Sequence, residues 1–448
     1  MEFMQKNHAV IPNQNLQETV NDIVSRSVKA FEFYSEQPMG ARKQVISAIR
    51  QKLAPYIEEI ARLEFEETGF GNIQDKMIKL ALAIANTPGI EDLETEATQG
   101  DTALTLYEYA PYGVVCSTNP SNNPIATLIC NTIGMLAAGN VIINIPHPRC
   151  REVTSRVTNI IREVVEEVIG CPDLVISIND INKNKITELI NHPDVSLVVT
   201  TGGRKLNNQS IRSSKRVIAA GQANPVVIVD ETADIKRSAR LIVKDASFDN
   251  NMLCITEKTI VVVSSVVEEF ANELKKLGVY YVDNDEEMLS LSKVVLDAEL
   301  SMNRCLEGKS ANQILEKAGL ACKRQVPLIV VNTFKKHPLV VNEMLMPIVP
   351  LVEARDFEEA LEIAKFAEQN FRHTALIHSQ SLARMSMAAK VLQTSLFIKN
   401  GSSLMGIGLQ SNEKTSFTIA NITGEGAISA RNFTRRRSCM LANGFDLR

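Results

Sequence analysis

The sequence lacks a marked excess of either charge. It has 48 lysine and arginine residues against 52 aspartate and glutamate residues, which leaves a formal net charge of -4 over 448 residues. The basic cluster RRR at 435–437 is brief. Nucleic acids and other polyanions bind to extended basic surfaces, so no nucleic-acid partner is predicted.

Sustained apolar segments are also lacking. The first residues, MEFMQKNHAV, have no apolar core of the kind that a secretory signal needs, which predicts a cytoplasmic protein. The most membrane-like segment, residues 123–146, is interrupted by Asn131, Asn140 and Asn144, which are costly in lipid, and by Gly139. We expect a buried helix followed by a buried strand there, and no membrane partner.

The eight cysteines show no metal-binding or disulfide pattern. No two of them form a C-x-x-C pair, and none clusters with the six histidines. This spacing argues against structural zinc and against a disulfide framework, so we predict reduced thiols and no metal site. A free cysteine is usually a buried packing residue, and a functional role for any one of them needs a separate argument.

Periodicity divides the chain into a helical start and an alternating remainder. In about the first 90 residues, apolar side chains recur at spacings of three and four, which predicts helices over 16–34 and 41–69. Farther along, helical patterns at 151–170 and 356–369 separate short β-branched runs. The predicted strands are 141–146, 197–200, 225–230, 259–265, 328–332, 374–379 and 395–400. Strands that alternate with helices imply parallel sheets buried on both faces, so the predicted fold class is α/β.

No repeat, low-complexity tract or flexible linker divides the chain, so a domain boundary has to be inferred from turn residues. The clearest boundary is AAGQANP at 219–225. It separates a sheet-and-helix half that is suited to a nucleotide from a half that carries Cys254. In the second half, His373 is expected to support the sheet.

Thr201, Gly202 and Gly203 follow a predicted strand directly. Glycine lets a backbone approach a ligand closely, and the N–H groups of a following helix can face a phosphate. The stretch is not G-x-G-x-x-G, and strand-to-helix turns in any α/β protein often hold glycine. A cofactor site and an ordinary turn both remain open at this point.

Two polar residues stand out near apolar segments. PSNNP at 120–124 precedes the long apolar helix, with Asn123 or Pro124 at its start. Helix capping accounts for one asparagine, and Asn122 is then free to point its amide N–H at a developing oxyanion. Glu343 lies in an apolar run, where an acid needs a bonding partner; a ribose hydroxyl pair and a backbone amide would both serve.

Cys254 lies in SFDNNMLCITEK, residues 247–258, after two asparagines and ahead of an apolar run. From this stretch alone it is either a packing residue or a nucleophile. An unperturbed cysteine, with a pKa of about 8.5, is only a few per cent thiolate at neutral pH. Polar N–H groups of the loop must therefore favour the thiolate if attack is to be fast, and no side-chain base can be named.

Taken together, these segments resemble the aldehyde dehydrogenase superfamily, and most closely its CoA-acylating branch, the propionaldehyde and acetaldehyde dehydrogenases of bacterial microcompartments. The likeness covers about residues 15–446. It is carried, in order, by APYGVVCSTNPSNNP, MLAAGNVIINIPHP, VVTTGG, NPVVIVDETADI, SFDNNMLC, EMLMPIVPLV, RHTALIHS, FIKNG and FTIANITGEGAISARNF. Many ordered motifs are far more specific than any one of them.

The resemblance implies a Rossmann-like cofactor domain, an α/β catalytic domain and a small oligomerisation arm. On that basis we predict a cofactor domain over 1–225, a catalytic domain over 226–405, and a return to the cofactor domain and the arm over 406–448. A hairpin near 102–116 also belongs to the predicted arm. A homodimer or homotetramer is expected, and kinship suggests the lumen of a microcompartment with its shell or enzymes as partners. The first dozen residues hold no clear counterpart of the family's targeting helix.

The family's motifs imply a role for each candidate residue. Cys254 matches the catalytic thiol, which attacks an aldehyde and, after hydride transfer to NAD, holds the acyl group as a thioester. Asn122 lies where hydrolytic relatives keep the asparagine of P-W-N-x-P, whereas the CoA branch usually has threonine. Glu343 matches the acid that holds the nicotinamide ribose. Pro146 and His147 form a turn near the adenosine part of the cofactor, with a surface-turn histidine as the alternative.

The predicted acyl acceptor is coenzyme A. Hydrolytic members activate water with the glutamate of an E-L-G-G motif, but Ala219 and Ala220 stand at that place in this chain. A thioester with no base nearby survives until a thiol takes the acyl group. We therefore predict oxidation of propionaldehyde or acetaldehyde with NAD and CoA. The alternatives are the same fold with water or phosphate as acceptor, and a non-catalytic microcompartment component, suggested by the unusual GIGLQSNEK at 406–414.

Overall fold

The computed structural model describes residues 18–178, 180 and 182–443. The first dozen residues, considered above for a targeting helix, lie outside this part of the chain. The strands are β1 Glu96–Gln99, β2 Ala103–Pro111, β3 Val114–Thr118, β4 Val141–Ile145, β5 Val175–Ser177, β6 Val195–Thr201, β7 Arg216–Ala220, β8 Val226–Val229, β9 Thr259–Val263, β10 Tyr280–Val282, β11 Ile329–Thr333, β12 Ile348–Ala354, β13 Thr374–His378, β14 Leu396–Lys399, β15 Ile419–Ala420, β16 Gly426–Ala427 and β17 Thr434–Ala442.

The α-helices are α1 Val20–Ser35, α2 Met39–Leu53, α3 Ile57–Thr68, α4 Ile73–Asn86, α5 Pro124–Ala137, α6 Arg151–Ile169, α7 Lys183–Asn191, α8 Arg204–Ile211, α9 Ile235–Ser247, α10 Ser264–Lys276, α11 Asp285–Val295, α12 Ala311–Lys317, α13 Pro338–Val341, α14 Phe357–Glu368 and α15 Leu382–Leu392. The predicted helix over 41–69 is divided into α2 and α3 by a 3-10 turn that contains Pro55, because proline has no N–H to continue the hydrogen-bond ladder.

The first large sheet is parallel and has the strand order β5-β4-β3-β6-β7. Helices α2, α5 and α6 pack on one face, and α1 and α7 pack on the other. All residues of β3, β4 and α5 are therefore buried, which confirms the predicted buried helix and strand at 123–146. Strand order reverses between β3 and β6, and ligands of open parallel sheets bind at the carboxyl ends of strands beside such a reversal.

The second large sheet is also parallel, with the order β10-β11-β12-β9-β8-β13-β14. Apolar side chains of α14 and α15 cover one face, and those of α9 and α10 cover the other. The seven strands predicted from the sequence are all present. Two of them, β4 and β6, lie in the first sheet, and five lie in the second sheet. Two parallel sheets covered by helices confirm the predicted α/β class.

A third, antiparallel sheet has the order β1-β2-β17. The segment 102–116 contains β2 and the beginning of β3, and the tight hairpin pairs β2 with the preceding β1. Residues 435–442 of β17 are exposed along the strand. The predicted role of this sheet as an oligomerisation arm stays a prediction.

Candidate active site

Cys254 lies in a turn between a 3-10 helix, Phe248–Asn251, and β9. Three successive residues before it have left-handed backbone angles: φ is 48° at Asp249, 54° at Asn250 and 60° at Asn251. Few residues other than glycine adopt this region, and asparagine and aspartate tolerate it best. The sequence DNN is therefore what allows the chain to form this turn ahead of the cysteine.

Side chains of the same turn bind it to the beginning of α4. The Asp249 Oδ1 atom accepts a hydrogen bond from the backbone N–H of Asn72 at 2.8 Å. The Asp249 N–H donates to Asp75 Oδ2 at 2.7 Å, and Asn250 Nδ2 donates to the carbonyl of Gly71 at 3.1 Å. The segment before the thiol is thus fixed to a helix of the first half of the chain.

Lys258 closes the turn from its other end. Its Nζ atom donates to the carbonyl and to the side-chain oxygen of Asn251, each at 2.6 Å, and to the Leu253 carbonyl at 3.0 Å. The Lys258 side chain is fully buried, and this burial lowers its pKa to about 8. Lys258 was not predicted from the sequence; its only signal there is a lysine directly before an apolar strand.

The Cys254 residue is half-buried, and its thiol is protonated at neutral pH. Burial raises its pKa to about 12, and the Glu343 carboxylate adds to that effect. The cations of Lys258 and Lys79 and the backbone N–H of Cys254 act in the opposite direction. The expected stabilisation of the thiolate by loop N–H groups is therefore outweighed by burial in the resting state.

Asn122 and Asn123 lie beside this turn at the start of α5. Asn122 Nδ2 donates to the Met252 carbonyl at 3.1 Å, two residues before the cysteine. Helix α5 begins at Pro124 as predicted, but the Asn123 side chain makes no capping bond. Its Oδ1 atom instead accepts from Lys79 Nζ at 2.7 Å. The structure therefore brings Asn122 next to the Cys254 turn; its role toward an oxyanion stays a prediction.

Glu343 follows α13 and interacts electrostatically with both Cys254 and Lys258. Burial raises the pKa of its carboxyl to about 7, while Lys258 and the backbone N–H of Ala223 favour the charged form. The backbone amide considered from the sequence is therefore a partner of this side chain. A ribose as a further partner stays a prediction.

The turn after β6 is open to a ligand. Helix α8 begins after Gly203 without a side-chain cap, so its first N–H groups are available. A Cβ at Gly203 would meet nothing within 4 Å, and one at Gly202 would meet only Leu206, at 3.9 Å. Thr201 is held at the end of β6 by its N–H bond to Thr118 Oγ1 at 3.1 Å. This arrangement fits a phosphate group.

Asn119 lies at the carboxyl end of β3, next to β6. Within the described part of the chain, neither its Oδ1 nor its Nδ2 atom has a hydrogen-bond partner, although the residue is buried. Buried polar atoms normally have partners, so these atoms point to a bound molecule. Asn119 and the glycine turn after β6 share the reversal point of the sheet, where dinucleotides bind. The residues present therefore fit a dinucleotide cofactor.

Pro146 and His147 follow β4. Pro146 is buried, and His147 Nδ1 accepts from the Arg149 N–H at 3.2 Å, which caps a short 3-10 turn. Burial, followed by the charges of Arg149, Arg304 and Arg151, lowers the pKa of His147. These are the contacts of a turn histidine, and a role of either residue in cofactor binding stays a prediction.

His373 lies buried just before β13 in the second sheet, as expected. Its Nδ1 atom lies 2.9 Å from Thr374 Oγ1. Burial lowers its pKa to about 3, with Lys258 adding to the effect, so the imidazole is neutral at physiological pH.

Ala219 and Ala220 end β7 and are buried. They offer no carboxylate where the hydrolytic branch has one. Glu257, a second carboxyl group close to the thiol turn, was not predicted from the sequence. Its side chain is buried, and it accepts a hydrogen bond from Ser403 Oγ at 3.0 Å. Burial, followed by the charge of Asp245, raises the pKa of Glu257 well above its usual range.

The described residues show neither a membrane-spanning helix nor a metal-binding cluster. No helix in residues 18–178, 180 and 182–443 is long and apolar enough to cross a membrane. Across the same residues, histidine, cysteine, aspartate and glutamate form no group of three or more that could hold a metal ion. All eight cysteines are free thiols.

Comparison with known proteins shows one family. The model of the aldehyde dehydrogenase family matches residues 4–408. A propanal dehydrogenase (CoA-propanoylating) of Citrobacter freundii is 40% identical over 431 residues, which cover 96% of this chain and 93% of that protein. The crystal structure of Rhodopseudomonas palustris propionaldehyde dehydrogenase, with bound CoA and an acylated cysteine, has a TM-score of 0.93 and 37% identity and covers 96% of this chain and 99% of that chain.

A further solved structure has the same fold. A propionaldehyde dehydrogenase from the fucose utilisation microcompartment of Clostridium phytofermentans has a TM-score of 0.93 and 36% identity, with 96% of this chain and 99% of that chain covered. The resemblance to the CoA-acylating branch is thereby confirmed. The chain belongs to the aldehyde dehydrogenase family.

Proposed function

We propose that this chain is a CoA-acylating aldehyde dehydrogenase, which oxidises propionaldehyde or acetaldehyde with NAD and CoA to the acyl-CoA. The observation that carries the proposal is the turn that holds Cys254. Its three left-handed residues, its bonds to α4 and its closure by the buried Lys258 fix one half-buried cysteine, which packs against the core of the first half of the chain. The similarity to CoA-propanoylating relatives over 96% of the chain supports the same reaction.

The thiol performs the first step. The Cys254 sulfur, once deprotonated, attacks the aldehyde carbon, and the carbonyl oxygen becomes an oxyanion. Lys258 and Lys79 favour the thiolate by their charge. Asn122 Nδ2 is placed beside the turn by its bond to the Met252 carbonyl, and it is the side-chain donor we assign to the oxyanion.

The second step converts the hemithioacetal on Cys254 into a thioester. NAD, when bound, accepts the hydride that leaves the aldehyde carbon. We assign its phosphates to the open turn of Thr201, Gly202 and Gly203, and its nicotinamide ribose to Glu343. We assign the adenosine part of NAD to Pro146 and His147.

The third step transfers the acyl group. The thiol of coenzyme A attacks the thioester carbon, and Cys254 leaves as the thiol after taking a proton. Ala219 and Ala220 support this acceptor, because they place no carboxylate where hydrolytic relatives activate water.

We also propose the assembly and location implied by the resemblance. The cofactor domain is assigned to 1–225, the catalytic domain to 226–405, and the return to the cofactor domain and arm to 406–448. The exposed strand β17 supports a homodimer or homotetramer formed through that arm. The relative from a fucose utilisation microcompartment supports encapsulation, which co-purification with shells would test.

The direct test is NADH formation from propionaldehyde, NAD and CoA, with chromatography of the product. We expect turnover that requires CoA and yields propionyl-CoA, and its loss in Cys254→Ser. Cys305→Ser, at an exposed thiol, is the matched control and should retain activity. Free acid or acyl phosphate as the product, or full activity of Cys254→Ser, would overturn the proposal.

A further inference from the structure

Lys79 connects the two segments that form the candidate site. It lies in α4 and is only 2% exposed. Its Nζ atom donates to Asn123 Oδ1 at 2.7 Å and forms an ion pair with the Asp249 carboxylate. Asn123 adjoins Asn122, and Asp249 begins the left-handed turn before Cys254. One buried ammonium group therefore holds both segments.

The position of this ammonium group is closely restrained. A buried charge is stable only with good partners, so Lys79 cannot move away from Asp249 and Asn123 without a large penalty. Asp249 is restrained in turn, because its second carboxylate oxygen accepts from the Asn72 N–H at 2.8 Å. Bonds from a single rigid helix thus restrain the distance between the Asn123 segment and the Asp249 turn, in addition to the direct bond from Asn122 Nδ2 to the Met252 carbonyl.

We propose that Lys79 is a positioning residue that sets the separation of Asn122 and Cys254, and with it the geometry of the oxyanion formed on aldehyde attack. The inference rests on the proposed function. Misplacement of a reacting group by about 1 Å can slow a reaction by about 10²-fold. Lys79 touches neither substrate nor thiol; beside the influence of its charge on the thiol, its positioning effect is exerted through Asn123 and Asp249.

A neighbouring buried pair provides a matched control. Lys76, one turn earlier in α4, is 1% exposed and pairs with Glu64 at 2.7 Å. Its Nζ atom donates to Glu64 and also forms a longer ion pair with the Asp249 carboxylate at 3.7 Å, but it makes no bond to Asn123. The double variant Lys76→Met/Glu64→Gln removes a buried ion pair of the same kind and burial without removing the bond to Asn123.

Three variants at the Lys79 site are compared with that control. Lys79→Met removes the ammonium group at nearly constant shape. Asn123→Ser removes only the acceptor, leaves the Lys79–Asp249 pair intact, and keeps a residue that suits a helix N-cap. Asn123→Asp keeps a side-chain oxygen that can accept from Lys79 Nζ. Melting temperature, kcat, KM for NAD and the rate of the first NADH burst are measured for each.

We expect Asn123→Ser to keep the wild-type melting temperature within a few degrees while the burst rate and kcat fall by about 10²-fold at an unchanged KM for NAD. Lys79→Met should lose both thermal stability and burst rate. Asn123→Asp should recover most of the burst rate. The control double variant should melt lower but retain kcat within about threefold.

An unchanged burst rate in folded Asn123→Ser would overturn the inference, even if Lys79→Met does not fold. An equal loss of kcat in the control double variant would also overturn it, since any buried pair of α4 would then have the same effect. Mass spectrometry of the acyl adduct separates the two proposals. An adduct on Cys254 with wild-type rates in Asn123→Ser refutes only the role of Lys79, whereas an adduct elsewhere refutes the proposed function.

Discussion

Raising the pH of the free enzyme should increase the reactivity of Cys254 without a plateau up to pH 10. The reason is the burial of its thiol, which raises the pKa to about 12. The thiolate fraction is then about 10⁻⁵ at pH 7 and about 10⁻² at pH 10, a tenfold rise for each pH unit. A small model thiol with a pKa of about 8.5 is already about 3% thiolate at pH 7.

The expected rate follows from these fractions. At pH 7, Cys254 has about 3000-fold less thiolate than the model thiol. Each thiolate is more nucleophilic when its pKa is higher, with a slope of about 0.4–0.5 in the logarithm of the rate per pKa unit, and this offsets about 40-fold of the 3000-fold difference. Cys254 should therefore react with a small neutral disulfide about 10²-fold more slowly than the model thiol at pH 7. Restricted access to the half-buried sulfur can only increase that ratio.

The assay follows modification of the Cys254 peptide by mass spectrometry at pH 7, 8, 9 and 10, with glutathione in the same tube as reference. A rate for Cys254 that levels off below pH 9, or that exceeds the glutathione rate at pH 7, would refute the reasoning. Either outcome would mean that the nearby cations and N–H groups outweigh burial.

Two further predictions concern neighbouring residues. Glu343→Gln removes a negative charge that raises the pKa of Cys254, so disulfide modification should accelerate at pH 8, and a rate at or below wild type would contradict this. Gly71→Ala should lower the free energy of unfolding by about 3–5 kcal/mol in urea titrations, because a Cβ at its φ of 67° would lie 1.8 Å from Asp249 Oδ1. Gly40→Ala, with nothing within 4 Å of its Cβ, should instead be neutral or stabilising by about 0.5 kcal/mol.

Sequence periodicity predicted the strands that are rich in apolar and β-branched residues, such as β8 and β9, because these lie buried between two helical layers. It did not predict β3, β5, β7, β10 and β12, which also belong to the large sheets. Strand β7 reads RVIAA, with a charged first residue and two alanines, which are poor strand formers. Strand β12 contains Pro350 although it lies between β11 and β9, and proline is unusual in a central strand.

The sequence predicted those parts of the site that depend on residues close together in the chain. The run of aspartate and two asparagines before Cys254 is a local requirement of the left-handed turn, and it remained recognisable as a motif. Lys79 gave no such signal, since its partner Asp249 is 170 residues away in the chain and only the folded structure buries them together. The pKa of the thiol could not be foreseen for the same reason, because it depends on tertiary burial.

The position of Glu343 changes what should happen to the acyl-enzyme when CoA is withheld. Its carboxylate is close enough to Cys254 to raise the pKa of the thiol, whereas Ala219 and Ala220 supply no base. Because burial raises the pKa of Glu343 to about 7, its basic form accumulates above that pH. Slow hydrolysis of the thioester should therefore rise with pH through about 7 and then level off.

Glu343→Gln removes this base, so the acyl-enzyme formed from propionaldehyde and NAD should decay at least about tenfold more slowly at pH 8. Intact-protein mass spectrometry measures the decay, with Glu413→Gln on an exposed loop as control. Decay that is unchanged in Glu343→Gln, or independent of pH between 6 and 8, would show that water reaches the thioester without this carboxylate. The enzyme would then keep the acyl group for CoA by excluding water from the thioester, and the absence of a carboxylate at Ala219 and Ala220 would not be the reason.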